Sequence, residues 1–309
     1  MRLSAAVFFS AWLLLPACIY ANSPFDGRWD FTTTGSGAVG ANWLGVNDKN
    51  GTLDVWFQPT GGHVYQVKDF KTEGSHMTLN LSPASGNHPA LVWELDAHGD
   101  KLSGTQKRGD KSTPLSASRA PELNRPAPKS WSKPEPLFNG KNLDGWEVIG
   151  DPSKSHWVVQ NGEMVNEEHG ANIRTKRTFD DFKLHFEVNC PDDANSGVYL
   201  RGRYELQLEY VKPGSEPPER SMGAIYGRIA PSRELPRTPG KWETFDVELV
   251  GRTLTVSRNG VMTIDHKKIE GITGGALDAN EGEPGPFYIQ GDHTGGLKFR
   301  NITVQTAKR

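Results

Sequence analysis

The sequence predicts an all-β protein, and three observations carry that prediction. Apolar and polar residues alternate over short runs, Gly and Pro are frequent between these runs, and no helical periodicity of useful length appears. The chain of 309 residues is long enough for two moderate domains. Its net charge of −2, with Lys and Arg scattered along the chain, gives no electrostatic reason to expect nucleic acid as a partner.

Residues 1–21 have the pattern of a secretion signal. A basic start precedes an almost unbroken apolar run over residues 7–15, which is too short to span a bilayer as a stable helix. Cleavage after Ala21 would give a secreted or periplasmic protein. In the competing interpretation, residues 15–18 form a lipobox-like sequence, and Cys18 carries a lipid that attaches the protein to a membrane. Because the proline in that sequence fits a lipobox poorly, we favour simple secretion.

Residues 25–119 are predicted to form a small β-sandwich or barrel. Alternating apolar residues indicate its strands, and Asn50-Gly51 and Gly61-Gly62 are turns typical of β-hairpins. Its aromatic residues are expected to fill the core, as they usually do in a small β unit, with a sugar-stacking surface as the alternative. These residues are Trp29, Trp43, Trp56, Tyr65 and Trp93. The sequence does not indicate what this unit does.

Residues 120–136 form a proline-rich linker. Prolines at this density oppose both helix and central strand, so we expect a semi-rigid extended spacer. Over residues 137–307 the strands are longer, and each has one apolar and one polar face. This pattern predicts two packed antiparallel sheets. The long loop over residues 211–239 is a candidate wall of a cleft.

One strand of this second unit carries an unusual polar face. The stretch Tyr-Glu-Leu-Gln-Leu-Glu-Tyr alternates strictly, so Glu205, Gln207 and Glu209 point to the same side. Three such side chains are costly to bury without partners, so they must face water, a metal or a ligand. On the preceding strand, Tyr199 and Arg201 are expected to share a face. Carboxylates, an amide, a phenol and a guanidinium together predict a sugar-binding cleft, with a solvated sheet face as the alternative.

Several motifs of the second unit are weak singly and specific together. They are Leu137-Phe138-Asn139-Gly140-Lys141-Asn142-Leu143-Asp144-Gly145-Trp146, Asn195-Ser196-Gly197-Val198-Tyr199-Leu200-Arg201, Tyr204-Glu205-Leu206-Gln207, Gly223-Ala224-Ile225-Tyr226-Gly227, Trp242-Glu243-Thr244-Phe245-Asp246-Val247, Asn259-Gly260-Val261, Gly285-Pro286-Phe287-Tyr288-Ile289-Gln290, His293 and Phe299-Arg300-Asn301-Ile302. This set resembles the 3-keto-disaccharide hydrolase family over residues 137–304. The resemblance implies a concanavalin A-like jelly-roll β-sandwich, preceded here by the small β-sandwich or barrel domain, which has no part in the resemblance.

The resemblance also implies an enzyme that cleaves 3-keto-glycosides or 3-keto-disaccharides. A ketone at C3 of a sugar acidifies the C2 proton, and removal of that proton lets the C1 substituent leave before water adds. Such a site needs a general base, an electrophile near the C3 oxygen and an acid near the leaving oxygen. The candidate catalytic residues are Glu205, His293 and Tyr226. The candidate substrate-binding residues are Asn195, Arg201, Gln207, Glu209 and Gln290.

Two positions can be compared with the family pattern directly. Glu209 fits the second acidic residue that the family usually carries two positions past the glutamine. The family's usual Gln-x-His spacing near the end is one residue longer here, between Gln290 and His293.

A divalent metal ion of the Ca, Mn or Zn class is a candidate cofactor, and no organic cofactor is expected. Its candidate ligands are Glu205, Glu209 and His293, since carboxylates and imidazole bind such ions. The oxygen-rich stretch over residues 278–283 could hold Ca²⁺, but its spacing matches no defined calcium loop, so a solvated turn is favoured. We expect a separate sugar 3-dehydrogenase to make the keto substrate.

Two other classes of function stay open from the sequence. A non-catalytic lectin-like module would bind glycans through the same cleft, and an ordinary glycosidase would cleave unoxidised glycosides. Retaining glycosidases hold their two carboxyl groups about 5–5.5 Å apart. Glu205 and Glu209 start about 13 Å apart, since same-face residues of a strand are spaced by about 6.6 Å. This spacing favours elimination over ordinary retaining hydrolysis.

Overall fold

A computed structural model describes residues 22–32, 41–83 and 89–309. The predicted signal peptide and Cys18 lie outside the described residues. Within those ranges the helices are two short 3₁₀ turns, Pro152–Lys154 and Pro218–Arg220. No helix in the described ranges is long and apolar enough to cross a membrane. The prediction of an all-β protein is confirmed.

The first nine strands form one antiparallel sheet that curls into a nearly closed barrel. They are β1 (Gly27–Thr32), β2 (Asn42–Lys49), β3 (Thr52–Gln58), β4 (Tyr65–Val67), β5 (Phe70–Glu73), β6 (His76–Ser82), β7 (Leu91–His98), β8 (Lys101–Arg108) and β9 (Lys111–Arg119). The order in the sheet is β4-β3-β2-β1-β9-β8-β7-β6-β5, so its two edge strands are consecutive in the chain. The Tyr65 hydroxyl of β4 donates to the Leu81 carbonyl of β6 at 3.0 Å, which draws the two ends of the sheet together.

Aromatic side chains fill the interior of this N-terminal barrel. Trp29 and Trp93 are completely buried. The rings of Phe31 and Phe57 pack on Trp93 with centroid distances of 4.7 and 4.9 Å. These residues take the inward positions because successive side chains of a strand point to opposite faces. The predicted aromatic core is therefore present for Trp29, Trp93 and the partly buried Tyr65. The prediction was wrong for Trp56, which is half-buried and packs against the core of the second unit. Of the two predicted forms, the barrel is the one that occurs.

The remaining strands build a sandwich of two antiparallel sheets. They are β10 (Ser130–Trp131), β11 (Glu135–Pro136), β12 (Trp146–Val148), β13 (Trp157–Gln160), β14 (Glu163–Asn166), β15 (Ile173–Thr175), β16 (Phe182–Asn189), β17 (Asn195–Leu200), β18 (Tyr204–Glu209), β19 (Trp242–Val250), β20 (Thr253–Arg258), β21 (Val261–Lys268), β22 (Tyr288–Ile289) and β23 (Lys298–Lys308). The large sheet has the order β13-β14-β23-β16-β19-β20-β21, with β10 and β11 also paired to β23. The small sheet has the order β12-β15-β22-β17-β18. The predicted jelly-roll β-sandwich is confirmed.

Apolar faces of the two sheets form the core of this C-terminal sandwich. On the large sheet, the rings of Phe186 and Phe245 stack with centroids 5.2 Å apart. On the small sheet, Leu206 and Leu208 are completely buried. Burying each such side chain stabilises the fold by about 1.5–3 kcal/mol. Because the leucines of β18 face the core, the polar residues between them face outward.

The proline-rich stretch between the two units is in contact with both. Its last residues form β10 and β11, which pair with β23 at the sheet surface, where proline is tolerated. The Pro121 carbonyl accepts hydrogen bonds from Arg28 of the barrel and Arg252 of the sandwich, at 3.5 and 3.1 Å. The stretch therefore lies against the two units instead of running free between them.

Trp43 of β2 joins the barrel to the sandwich. Its neighbour Leu44 points inward, so the alternation of the strand sends Trp43 to the outer face. There the indole packs against Gly271, where a Cβ would lie 2.4 Å from the ring, and the Arg228 guanidinium sits 4.3 Å from the ring centre. The prediction that Trp43 fills the core of the first unit was wrong. This residue belongs to the core cluster of the C-terminal sandwich.

Candidate active site

The polar face of the small sheet is formed by β17 and β18. These antiparallel strands place Gly197 opposite Gln207 and Tyr199 opposite Glu205. Glycine is needed at position 197, because a Cβ there would lie 2.5 Å from Glu205 Oε1. Its absence lets the Glu205 side chain extend across β17.

A cleft of about 470 Å³ lies over these strands, a volume within the range of small-molecule sites. It is lined by six of the eight predicted site residues, which are Asn195, Glu205, Gln207, Tyr226, Gln290 and His293. A seventh, Glu209, accepts a hydrogen bond from Gln207 Nε2 at 2.9 Å and lines a neighbouring cavity of about 410 Å³. The structure thus brings seven predicted residues together on one face.

Glu205 is a buried carboxyl group, only 5% exposed. Burial raises the pKa of Glu205 to about 8, although contact with the Tyr199 hydroxyl and the charge of His293 act in the opposite direction. Among the described residues, no lysine or arginine contributes to this pKa as a neighbouring charge. Glu205 is therefore mostly protonated at neutral pH and can donate a proton.

His293 forms a half-exposed pair with Asp292. His293 Nδ1 lies 3.0 Å from Asp292 Oδ1, and Asn172 Nδ2 donates to the other carboxylate oxygen at 3.1 Å. The hydrogen bond with Asp292 raises the pKa of His293 against the opposing effect of burial, and the charges of Glu205 and Glu209 add to the rise. Asp292 therefore orients the imidazole and makes it a stronger base, with Nε2 left for proton transfer.

Two buried glutamines offer acceptors without partners. Gln207 and Gln290 are 2% and 6% exposed, and Oε1 of each has no hydrogen-bond partner among the described residues. Gln290 Nε2 is engaged, since it donates to the Tyr199 hydroxyl at 3.0 Å. An unpaired buried acceptor costs about 1–3 kcal/mol. Both oxygens are themselves shielded from solvent, so a ligand could reach them only after the side chains move.

Two stacked tyrosines form a fixed part of the cleft lining. The rings of Tyr199 and Tyr288 have centroids 3.9 Å apart. Their hydroxyls donate to the carbonyls of Gly274 and Gly275, at 2.7 and 2.8 Å. Burial raises the pKa of both phenols well above the usual value, so both stay neutral.

Tyr226 enters the cleft from the long loop between β18 and β19. Its backbone N–H donates to the Glu205 carbonyl at 3.0 Å, which ties the loop to β18. Burial, and next the charge of Glu205, raise the pKa of Tyr226. The phenol therefore remains a hydrogen-bond donor at neutral pH. This residue lines the cleft, as expected of the 211–239 loop.

Part of the cleft wall comes from the N-terminal barrel. Gly61 and Gly62, in the β3–β4 loop, line the cleft beside residues of the sandwich. The Thr60 carbonyl of the same loop accepts a hydrogen bond from the Gly275 N–H at 2.7 Å. Sequence reasoning missed these residues, because their local pattern is only that of a hairpin turn.

The structure does not bring Arg201 to this cleft. The chain leaves β17 in a turn at Arg201, where φ is +53°, so the residue no longer shares the face of Tyr199. Its side chain is completely buried, donates to the Gly251 carbonyl and lies 3.6 Å from Asp180. The prediction that Arg201 shares the polar face was wrong, because strand alternation ends where the turn begins.

Metal ligands do not converge in the described part of the chain. No three His, Cys, Asp or Glu side chains there are close enough to hold an ion, and this includes the predicted set Glu205, Glu209 and His293. The 278–283 stretch was expected to be a solvated turn or a calcium-binding loop. Instead, two of its carboxylates form ion pairs with arginines. Glu281 is completely buried and pairs with Arg252 at 2.7 Å, and Asp278 pairs with Arg203 at the same distance.

The phenol of Tyr199 lines the cleft, as expected from the sequence. Three further polar residues of the cleft were not predicted, namely Tyr288, Asp292 and Asn172. Tyr288 and Asp292 fall within or adjoin motifs that were already recognised, so closer attention to those motifs would have found them. Asn172 comes from the loop before β15, and its local sequence carries no signal of this role.

Comparison with known structures finds three crystal structures from Parabacteroides distasonis ATCC 8503, each provisionally described as a glycosyl hydrolase. The first is 27% identical and covers 60% of this chain and 94% of its own, with a TM-score of 0.48. The second is 18% identical and covers 57% of this chain and 94% of its own, with a TM-score of 0.46. The third is 21% identical and covers 57% of this chain and 100% of its own, with a TM-score of 0.43. No curated protein matches the sequence.

The family comparison is more specific. Residues 133–305, more than half of the chain, match the family described as the 3-keto-alpha-glucoside-1,2-lyase-like domain, which is the 3-keto-disaccharide hydrolase family. This match confirms the resemblance found in the sequence and covers the β17–β18 face, Tyr226, Gln290 and His293. The chain therefore belongs to the 3-keto-disaccharide hydrolase family of carbohydrate-active enzymes.

Proposed function

We propose that this protein cleaves 3-keto-glycosides by removing the C2 proton, eliminating the C1 substituent and adding water. The observation that carries the proposal is a buried, protonated Glu205 in the same cleft as the basic His293–Asp292 pair. An acid and a base of this kind are what an elimination needs. The family membership supports the 3-keto substrate class.

In the proposed reaction, His293 Nε2 takes the proton from C2, and the electron pair forms an enolate with the C3 carbonyl. Tyr226 donates a hydrogen bond to the enolate oxygen. The enolate then expels the C1 oxygen, which takes the proton of Glu205, and a C1–C2 double bond remains conjugated with the ketone. Water adds its oxygen to C1 and a proton to C2, which gives a net hydrolysis.

The remaining polar residues would hold the sugar in position. Gln207 and Gln290, which line the cleft, would bind sugar hydroxyls through their amide groups. Asn195 lines the same cleft, and Glu209 borders it through its hydrogen bond with Gln207. Binding through such groups would also occur in a lectin, so turnover has to be measured directly.

The test uses a chromogenic 3-keto-glucoside and its unoxidised parent. We expect release from the keto substrate alone, and a loss of about 10²–10⁴ in kcat for Glu205→Gln. Glu94→Gln, on the outside of the barrel, is the matched control. Release from the parent glycoside would favour an ordinary glycosidase. Glycan binding without release from either substrate would favour a lectin-like module.

The requirement for a divalent metal stays a prediction. The donor atoms of Glu205, Glu209 and His293 are chemically suitable for such an ion, but these side chains do not converge in the described structure and would have to move to bind it. Removal of metal with EDTA, followed by addition of Ca²⁺, Mn²⁺ or Zn²⁺ singly, tests it. Full activity after EDTA would contradict a metal requirement, and restoration by one ion would identify the metal.

The origin of the substrate and the location of the protein are also proposals. The C3 hydroxyl of an ordinary glycoside must first be oxidised, so a separate sugar 3-dehydrogenase would act before this enzyme. The predicted signal over residues 1–21 supports a secreted or periplasmic location. N-terminal sequencing of the exported protein would support cleavage after Ala21 if it begins at Asn22, and would contradict it if lipidated Cys18 is first.

A further inference from the structure

We propose that the β3–β4 loop of the N-terminal barrel, residues 59–64, determines which aglycones the cleft accepts. The loop lies outside the matched family region, which begins at residue 133. It nevertheless lines the cleft through Gly61 and Gly62. The inference rests on the proposed function, since it assigns a role in choosing the substrate of that same site.

The loop is held rigidly against the sandwich. Gln58 Nε2 donates to the carbonyls of Pro59 and Gly62, at 2.9 and 3.1 Å, which closes the turn. The Gly62 carbonyl then packs so closely on Gly274 that a Cβ there would lie 2.0 Å from the oxygen. Together with the Thr60–Gly275 hydrogen bond, these contacts make the loop a fixed wall.

The contacts of the loop lead directly to the proposed acid. Gly274 and Gly275 accept the hydrogen bonds of the Tyr199 and Tyr288 hydroxyls. Tyr199 in turn contacts Glu205. Because Glu205 is proposed to protonate the leaving oxygen, the leaving group should lie on this side of the sugar. The loop therefore borders the aglycone and not the keto sugar.

Gly61 is the position at which this wall can be changed without disturbing the fold. A Cβ added at Gly61 would meet no described atom within 4 Å, and its φ lies outside the left-handed region. A side chain there would enter open space beside the cleft. By contrast, Gly62 has a φ of +76° and would be strained by any side chain.

The anchoring of the barrel on the sandwich also supports a role of the β3–β4 loop at the cleft. Trp43 is buried in the core cluster of the sandwich, so the barrel cannot turn independently without exposing that indole. Arg28 of β1 pairs with Glu270 of the sandwich at 3.3 Å. A merely tethered module would not need a buried aromatic anchor in the core of the sandwich.

The kinetic test is Gly61→Trp, compared with Gly61→Ala and with Asp110→Trp in the exposed β8–β9 turn. Substrates are methyl 3-keto-glucoside, with a small aglycone, and a 3-keto-disaccharide. We expect Gly61→Trp to lower kcat/KM for the disaccharide by at least about tenfold, with a much smaller change for the methyl glycoside. Asp110→Trp should change neither. Equal losses on both substrates, or no loss, would overturn the assignment of the loop to the aglycone.

A second test does not depend on turnover. In a Cys18→Ser, Glu205→Gln background, Gly61→Cys introduces an accessible thiol, since Cys190 is buried and burial raises its pKa to about 12. We expect saturating 3-keto-disaccharide to slow maleimide labelling of Gly61→Cys at least about tenfold, but not that of Asp110→Cys. Protection of Gly61→Cys by a glycan, together with no turnover by the wild-type protein, would refute the proposed chemistry and keep the loop at the binding site. Turnover by the wild-type protein without protection of the Gly61→Cys thiol would refute the loop assignment alone.

Discussion

Two buried glutamates of the sandwich have opposite electrostatic surroundings. Glu243 on β19 is 3% exposed, and both its oxygens accept hydrogen bonds from Arg258, at 2.6 and 3.0 Å. Glu205 on β18 is 5% exposed, with no cationic arginine or lysine affecting it among the described residues. The pKa of Glu243 is lowered because hydrogen bonds from Arg258 and Thr238 outweigh burial, whereas burial dominates at Glu205.

This difference separates a structural carboxylate from a reactive one. A carboxylate that accepts a bidentate hydrogen bond stays ionised and holds two elements together. A carboxyl group that is buried without an arginine or lysine partner keeps its proton near neutral pH. Burial of an acidic residue is therefore not enough to identify a site. The partner of the carboxyl group decides which role it has.

The largest expected effect is on the structural glutamate. Replacement of Arg258 by Met leaves Glu243 buried without its cation, so the free energy of unfolding should fall by about 3–5 kcal/mol. Chemical denaturation measures this change, with Arg108→Met at an exposed position as the control. The double variant Arg258→Met, Glu243→Leu should recover most of the loss. If the single variant Arg258→Met is as stable as the wild type, Glu243 does not depend on its cation, and the electrostatic contrast between Glu243 and Glu205 is contradicted.

The pH dependence of kcat/KM on the 3-keto-glucoside tests the reactive glutamate. The rate should rise as the His293 imidazole loses its proton, above its ordinary pKa of 6.5, and fall as Glu205 loses its proton near pH 8. Each limb should approach a tenfold change per pH unit. If Glu205 is instead the base, the rate will rise through pH 8 and no alkaline limb will appear.

A third test of the comparison is the contribution of Glu205 to stability. Its pKa rises from 4.5 to about 8 on folding, so its stabilising contribution is fully present below about 4.5 and is lost as the pH rises through about 8. Glutamine cannot ionise, so the melting temperature of Glu205→Gln should fall less than that of the wild type across this range. Glu73→Gln, at an exposed position, should follow the wild type. Parallel curves for all three proteins would show that Glu205 is not protonated in the folded state.

Most of the fold and much of the cleft could be predicted from local pattern. Alternation in β18 places its leucines in the core and its three polar residues outside, which is a property of any regular strand. The prediction for Arg201 was wrong because the alternation stops at the turn after β17. The prediction for Trp43 was wrong because alternation does not show which face of a sheet another unit will cover.

The sequence by itself determined the all-β class, the polar face of β18 and the family, since strand alternation and short motifs are local properties. Only the tertiary structure decided that Glu205 keeps its proton, that Asn172 holds Asp292 beside His293, and that the barrel supplies part of the wall. These features depend on contacts between segments far apart in the chain. Burial and the identity of the nearest charge are set by those contacts, and they control the chemistry of a carboxyl group.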